Sequence, residues 1–131
     1  MTSKPGVLRS ALGHVRGLGS AKEGTHHWWQ QRLTAVALVP LSIWLIASIV
    51  RLSGAGYAGF VDWFHNPIHA SVMILFLVAS FHHAQLGMQV VIEDYVPGHA
   101  ARIVCVTAVK FGCFALAVLC TVSILVVAFK G

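Results

Sequence analysis

Charge is what this chain has least of. Of its 131 residues only four are acidic and nine are Lys or Arg, 10% in all, where a soluble domain carries about 25%. Hydrophobic residues make up 57% and the mean hydropathy is +0.79. A single domain this small cannot hide so much apolar surface in a core of its own. Lipid is therefore the expected solvent for most of it. Paired cysteines are also missing. Cys105, Cys113 and Cys120 fall in one apolar run, with no CxxC and no Cys/His zinc spacing, and are read as small hydrophobes. A secretory signal is missing too, because the basic N-terminus leads into HHWWQQR rather than a short apolar core and a cleavage site. Residues 1–22 contain no acid, a feature shared with organelle transit peptides, but a basic cytoplasmic tail in a bacterium is the favoured reading. The basic residues are spread out rather than clustered, which argues against a nucleic-acid partner.

What is present is three apolar runs. The expected architecture is all-α, with three transmembrane helices at about 33–51, 67–95 and 103–129 behind a basic segment, 1–32. The first span, LTAVALVPLSIWLIASIV, holds 18 residues between Arg32 and Arg51. At 1.5 Å per residue it crosses about 27 Å, close to the hydrocarbon thickness. Pro40 is expected to kink it mildly. A Gly-rich loop, SGAGYAGFVDWFHN, follows, with Tyr57 and Trp63 suited to an interface. Asn66-Pro67 reads as the N-cap and first residue of the second helix, which stops at Pro97-Gly98. Lys4, Arg9, Arg16, Lys22 and Arg32 precede the first span. By the positive-inside rule the N-terminus is cytoplasmic, the 52–66 loop is outside and the 94–102 turn, with Arg102, is inside. Lys110, near the start of the third apolar run, is read as snorkelling to the surface.

The second helix carries polar groups that lipid would not select. Its C-terminal half reads SFHHAQLGMQVVIEDYVPG. Eleven residues separate His83 from Asp94, a rotation within about 20° of whole turns, so the two share a face about 16 Å apart. Gly87 lies on the same stripe, and Ala79 and Ser80 border it. The imidazole thus projects from a face with little bulk, open to something flat and wide. Intramembrane ionisable groups are functional candidates by default. Three readings of His83 stand at this point: a haem iron ligand, a hydrogen bond gluing two helices, or part of a proton path. His82 points about 100° away and is expected to pack or hydrogen-bond elsewhere. His69, fourteen residues before His83, raises the idea of a second haem, but its place beside Asn66-Pro67 favours an interfacial role.

At the inner end of this helix stand Glu93, Asp94 and Tyr95. A phenol can donate a hydrogen bond to a carbonyl, and a carboxylate beside it can tune it or take up protons. A quinone headgroup is one ligand needing this. An ordinary polar helix end with Tyr95 in the aromatic belt is the other reading. Before the first span, His26 and Arg32 offer groups that bind carboxylates, or else anchor the interface together with Trp28 and Trp29.

HAQLGMQVVIEDYV, from His83 to Val96, resembles the H-x3-G-x6-D-Y pattern of the small hydrophobic membrane-anchor subunits of succinate dehydrogenase, respiratory Complex II. The preceding GSAKEGTHHWWQQRLTAVALVPL is similar to the alphaproteobacterial branch. Glu93 and the doubled His82-His83 depart from the pattern, and the eleven-residue count to Asp94 selects His83.

The resemblance implies a four-chain enzyme in a bacterial inner membrane, or a mitochondrial one. A flavoprotein oxidises succinate, an iron–sulfur subunit carries the electrons, and two three-helix anchors pack around haem b and bind ubiquinone. By this resemblance His83 is one axial ligand of the haem iron, the other coming from the second membrane anchor. Tyr95 hydrogen-bonds a ubiquinone carbonyl, with Asp94 as its acidic neighbour. His26 and Arg32 lie near the haem propionates. No residue here would be catalytic for succinate oxidation. The rival expectations are a haem-b anchor of another quinone-linked oxidoreductase and a non-redox scaffold for membrane assembly.

Overall fold

The computed structural model describes residues 24–130. Lys4, Arg9, Arg16 and Lys22 of the predicted cytoplasmic segment lie outside them. Four helices follow in order: α1 (Gly24–Leu52), α2 (Gly56–His65), α3 (Pro67–Tyr95) and α4 (His99–Lys130). No strand occurs among the described residues. Helices α1, α3 and α4 are long and apolar enough to cross a membrane. They have 29, 29 and 32 residues, about 44–48 Å at 1.5 Å per residue, so each extends past a hydrocarbon core of about 30 Å.

That surplus accounts for where the helices begin. Helix α1 starts at Gly24 rather than at Leu33, so HHWWQQR forms its first turns and residue 32 lies inside a helix. The apolar run marks only the part needing lipid. Its Trp, Gln and Arg continuation is compatible with helix and suits the interface. Pro40 sits within α1 without ending it. Helix α3 has the predicted bounds, with the Asn66 side chain accepting from the Ile68 N–H at 2.9 Å and Pro67 in the first turn. At its far end Gly98, with φ of 93°, supplies a left-handed turn that favours glycine. Helix α4 then starts at His99, four residues ahead of the expected 103.

The Gly-rich 52–66 segment is not a plain loop. Ten of its residues form α2. Within the glycines lies an i, i+3 pair, Val61 and Phe64, which is buried and gives a short helix an inner face. Gly59 is needed there, because a Cβ at that position would come within 2.8 Å of the Ala55 Cβ.

Helix α3 is central, packing on α1 along one side and α4 along the other, while no Cα atoms of α1 and α4 come within 8 Å of each other among the described residues. Helix α2 closes one end against all three. There Phe64, Ala70 and Ile124 form a core, flanked by Trp63, Met73 and Leu77. Elsewhere burial is sparse. In the most apolar 18-residue windows of α1, α3 and α4, 6%, 6% and 0% of residues are buried. Stability in water would need far more, so lipid or other helices must cover these faces.

Candidate functional site

His83 is half-buried on α3 and faces α1. Its Nδ1 lies 2.9 Å from Thr34 Oγ1. The threonine hydroxyl donates within its own helix, to the Gln30 carbonyl at 2.8 Å and, more weakly, the Gln31 carbonyl at 3.1 Å. A hydroxyl has one proton. While that proton stays on the carbonyls, Oγ1 is an acceptor toward the ring, an arrangement that calls for the hydrogen on Nδ1. The other ring nitrogen, Nε2, takes no part in that contact. A neutral imidazole with its lone pair on Nε2 is the form that ligates iron.

The small-residue stripe around His83 is partly occupied. An added Cβ on Gly87 would lie 3.6 Å from Gln31 Nε2, so α1 approaches there. Ala79 and Ser80 are half-buried. His82 diverges from His83 as the 100° rotation requires. It lines a space beside α4 with Phe81, Cys113 and Phe114, and also a larger polar cavity of about 550 Å³.

That cavity joins three helices at the end opposite α2. Its walls include His26 and His27 from α1, His82 and Glu93 from α3, and Lys110 from α4. Lys110 is exposed and borders the mouth of this cavity, a position compatible with reaching for the surface. Buried His27 Nε2 and Gln31 Oε1 have no partner nearby. His26 is exposed at the rim, whereas Arg32 lies elsewhere, its guanidinium 5.2 Å from the Trp28 ring centroid. His26 lines this cavity and Arg32 does not, in keeping with the 120° between them.

Tyr95 and Asp94 end α3 fully in the open, Tyr95 at 81% exposure. Glu93 is held differently, accepting from Gln89 Nε2 at 2.8 Å. A second cavity of about 340 Å³ lies between Glu93, His99 and Arg102, with Arg102 Nε buried and unpaired. His69 sits at the other end. Its Nδ1 donates to the Trp63 carbonyl at 3.0 Å, and its ring stacks on Trp63 at 4.4 Å and 13°.

Sequence reasoning did not find Thr34 as the partner of His83, nor the cavity at Lys110. The signal for Thr34 was a hydroxyl just inside an apolar run. Its relation to a histidine 49 residues away depends on how two helices pack, which periodicity does not give.

A family model described as the succinate dehydrogenase/fumarate reductase transmembrane subunit matches residues 7–127. The succinate dehydrogenase hydrophobic membrane anchor subunit of Rickettsia bellii is 36% identical over 103 residues, 79% of this chain and 82% of the relative. That of Paracoccus denitrificans is 32% identical over 98 residues, 75% and 76% of the two chains. The succinate dehydrogenase membrane anchor subunit of Reclinomonas americana is 36% identical over 92 residues, 68% and 77%. No solved structure gives a significant match. Three membrane-length helices, a one-sided imidazole in the central one, and similarity over nearly the whole length agree: the chain belongs to the family of succinate dehydrogenase and fumarate reductase transmembrane subunits.

Proposed function

We propose that this chain is a membrane anchor of succinate:ubiquinone oxidoreductase, in which His83 would be a ligand of the haem b iron and Tyr95 and Asp94 its part of the ubiquinone-reduction site. The observation that carries the proposal is the division of labour on the His83 ring. Nδ1 lies 2.9 Å from the Thr34 hydroxyl, which donates to its own helix, and Nε2 takes no part in that contact. A histidine serving only to join two helices uses one nitrogen, and iron ligation would employ the second.

The residues present fit the haem. Bound, it would supply one-electron redox chemistry at a potential set by its ligands and surroundings. His83 would hold it from one side, and a second membrane anchor would donate the other ligand. His26 and Arg32 would meet propionates from separate faces, Arg32 already oriented on Trp28.

Ubiquinone is a substrate. Its headgroup would lie at Tyr95, whose phenol donates to a carbonyl oxygen, while Asp94 passes in protons from the cytoplasmic side. The two electrons would come from succinate through the flavoprotein and iron–sulfur partners, and two protons would complete the quinol. The exposure of Tyr95 supports a site completed by other subunits. The membrane is the bacterial inner membrane, with the N-terminus cytoplasmic.

The test is to purify the complex with each histidine changed in turn. His83→Ala is expected to lose the b-type spectrum and His82→Ala to keep it. Retention of the spectrum in His83→Ala overturns the ligand assignment. Succinate-driven quinone reduction by the unaltered complex separates this reading from a haem anchor serving another dehydrogenase.

A further inference from the structure

We infer that Thr34 is a positioning residue for the haem ligand: it fixes the tautomer and ring orientation of His83 and makes Nε2 a stronger electron donor. This rests on the proposed ligation at His83 and adds a group that would touch neither iron nor substrate.

Proton counting at the hydroxyl leads there. Thr34 Oγ1 has three neighbours, the Gln30 carbonyl at 2.8 Å, the Gln31 carbonyl at 3.1 Å and His83 Nδ1 at 2.9 Å. Carbonyl oxygens only accept. The single hydroxyl proton goes to them, and the imidazole must supply the proton on the third contact. The opposite tautomer would set two lone pairs against each other, or force Thr34 to release its own helix. Either arrangement is disfavoured, because a polar atom out of water is left without its partner.

With the proton on Nδ1, Nε2 is kept free of hydrogen, so the ring is ready to bind metal without changing tautomer. The ring is also pinned about its Cβ–Cγ bond, because Nδ1 must stay on a hydroxyl belonging to another helix. Electron density shifts toward Nε2 as Nδ1–H is polarised by its acceptor, an effect reinforced by the hydroxyl's own bond to a helix carbonyl. A more strongly donating imidazole favours ferric over ferrous iron. Deleting the acceptor should therefore raise the haem midpoint potential and weaken the haem's hold.

Thr34 also occupies a location that a packing role alone would not demand. It is half-buried between α1 and α3, near where Gln31 approaches Gly87. Valine has the same shape and would fill that space equally well, so only the acceptor distinguishes the two side chains. Loss of such an outer contact to a metal-binding histidine weakens affinity about 10–100-fold. For a neutral hydroxyl the low end is expected.

The experiment uses the assembled complex in detergent, comparing the unaltered chain, Thr34→Val, Thr34→Ser and His83→Ala. Haem transfer to excess apomyoglobin and the potentiometric midpoint of the b-type band are the readouts. Thr34→Val is expected to lose haem about tenfold faster with a midpoint shifted upward, and Thr34→Ser, which keeps the hydroxyl, to restore both. Native values in Thr34→Val overturn the inference. If Thr34→Val does not assemble, Thr34→Cys, whose thiol is a weaker acceptor, should show part of the same shift, and native values there overturn it equally. His83→Ala separates the two levels. A haem retained without His83 sinks the ligand assignment and this inference together. A haem lost there but untouched in Thr34→Val sinks only the role of Thr34.

Discussion

The two ends of this three-span unit are built on opposite plans. At the α2 end polar atoms find partners within the chain and aromatic rings fill the gaps. Ser48 is buried and donates to the Trp44 carbonyl at 2.8 Å, Trp44 lies 5.5 Å from Trp63, and Trp63 meets Phe64 edge-on at 4.9 Å. At the other end the chain leaves work undone. Its polar cavity has unpaired His27 and Gln31 atoms in or beside its walls, and Tyr95 projects into the open. The histidines of α3 follow the same division. His69 is stacked on Trp63 and bonded to a backbone carbonyl, whereas His83 meets a side-chain hydroxyl 2.9 Å from Nδ1, with no ring stacked on it among the described residues. One end completes itself, and the other is shaped for groups this chain does not contain.

The largest effect expected from breaking this contrast falls at the self-sufficient end. Trp63→Ala removes the stack on His69, the edge contact with Phe64 and the neighbour of Trp44. Full burial would make the loss about 3–5 kcal/mol. Trp63 is only half-buried, so about 2 kcal/mol is expected, read as a lowered unfolding temperature of the complex in detergent. The haem spectrum should be unaffected. A stable variant with an altered spectrum would show that the two ends are not independent.

Tyr95→Phe probes the open end and should behave in reverse. The phenol makes no contact that supports the fold, so the unfolding temperature should not move. Removing one hydrogen bond to a quinone carbonyl costs about 1–1.5 kcal/mol, which is about tenfold in kcat/KM for quinone. Steady-state reduction at limiting quinone measures it, with the b-type spectrum as a control. Unchanged turnover would place the phenol in the aromatic belt and return the quinone to other subunits.

How much of this was legible in the sequence differs between the ends. The bounds of α3 followed from Asn66-Pro67 and Pro97-Gly98, because caps and prolines act locally and leave a mark in the letters. The divergence of His82 and His83 followed from helix rotation alone. Helix α2 did not, because its glycines outweigh an inner face only two buried residues wide, Val61 and Phe64. The start of α1 was missed by nine residues because hydropathy reports what lipid requires, not where hydrogen bonding ends. Family membership was legible from the H-x3-G-x6-D-Y spacing, and the likeness to known membrane anchors bears it out. The partner of His83 was not legible, because Thr34 reaches it through packing.

The smallest effect, and the finest test of the contrast, is at Gly87. Within this chain an added methyl would meet Gln31 Nε2 at 3.6 Å, an ordinary contact that displaces nothing. Alanine is also a better helix former than glycine by about 0.8–1 kcal/mol. If α1 were the only neighbour of that surface, Gly87→Ala would leave assembly unchanged or raise the unfolding temperature slightly. A flat group lying over the stripe beside His83 would meet the methyl instead. The expected outcome is an unfolding temperature at or just above native together with a measurable loss of bound haem. Full haem occupancy in a stabilised Gly87→Ala would mean that Gly87 serves the approach of α1 and not that of the cofactor, leaving the opening at His83 to be set by Ala79 and Ser80.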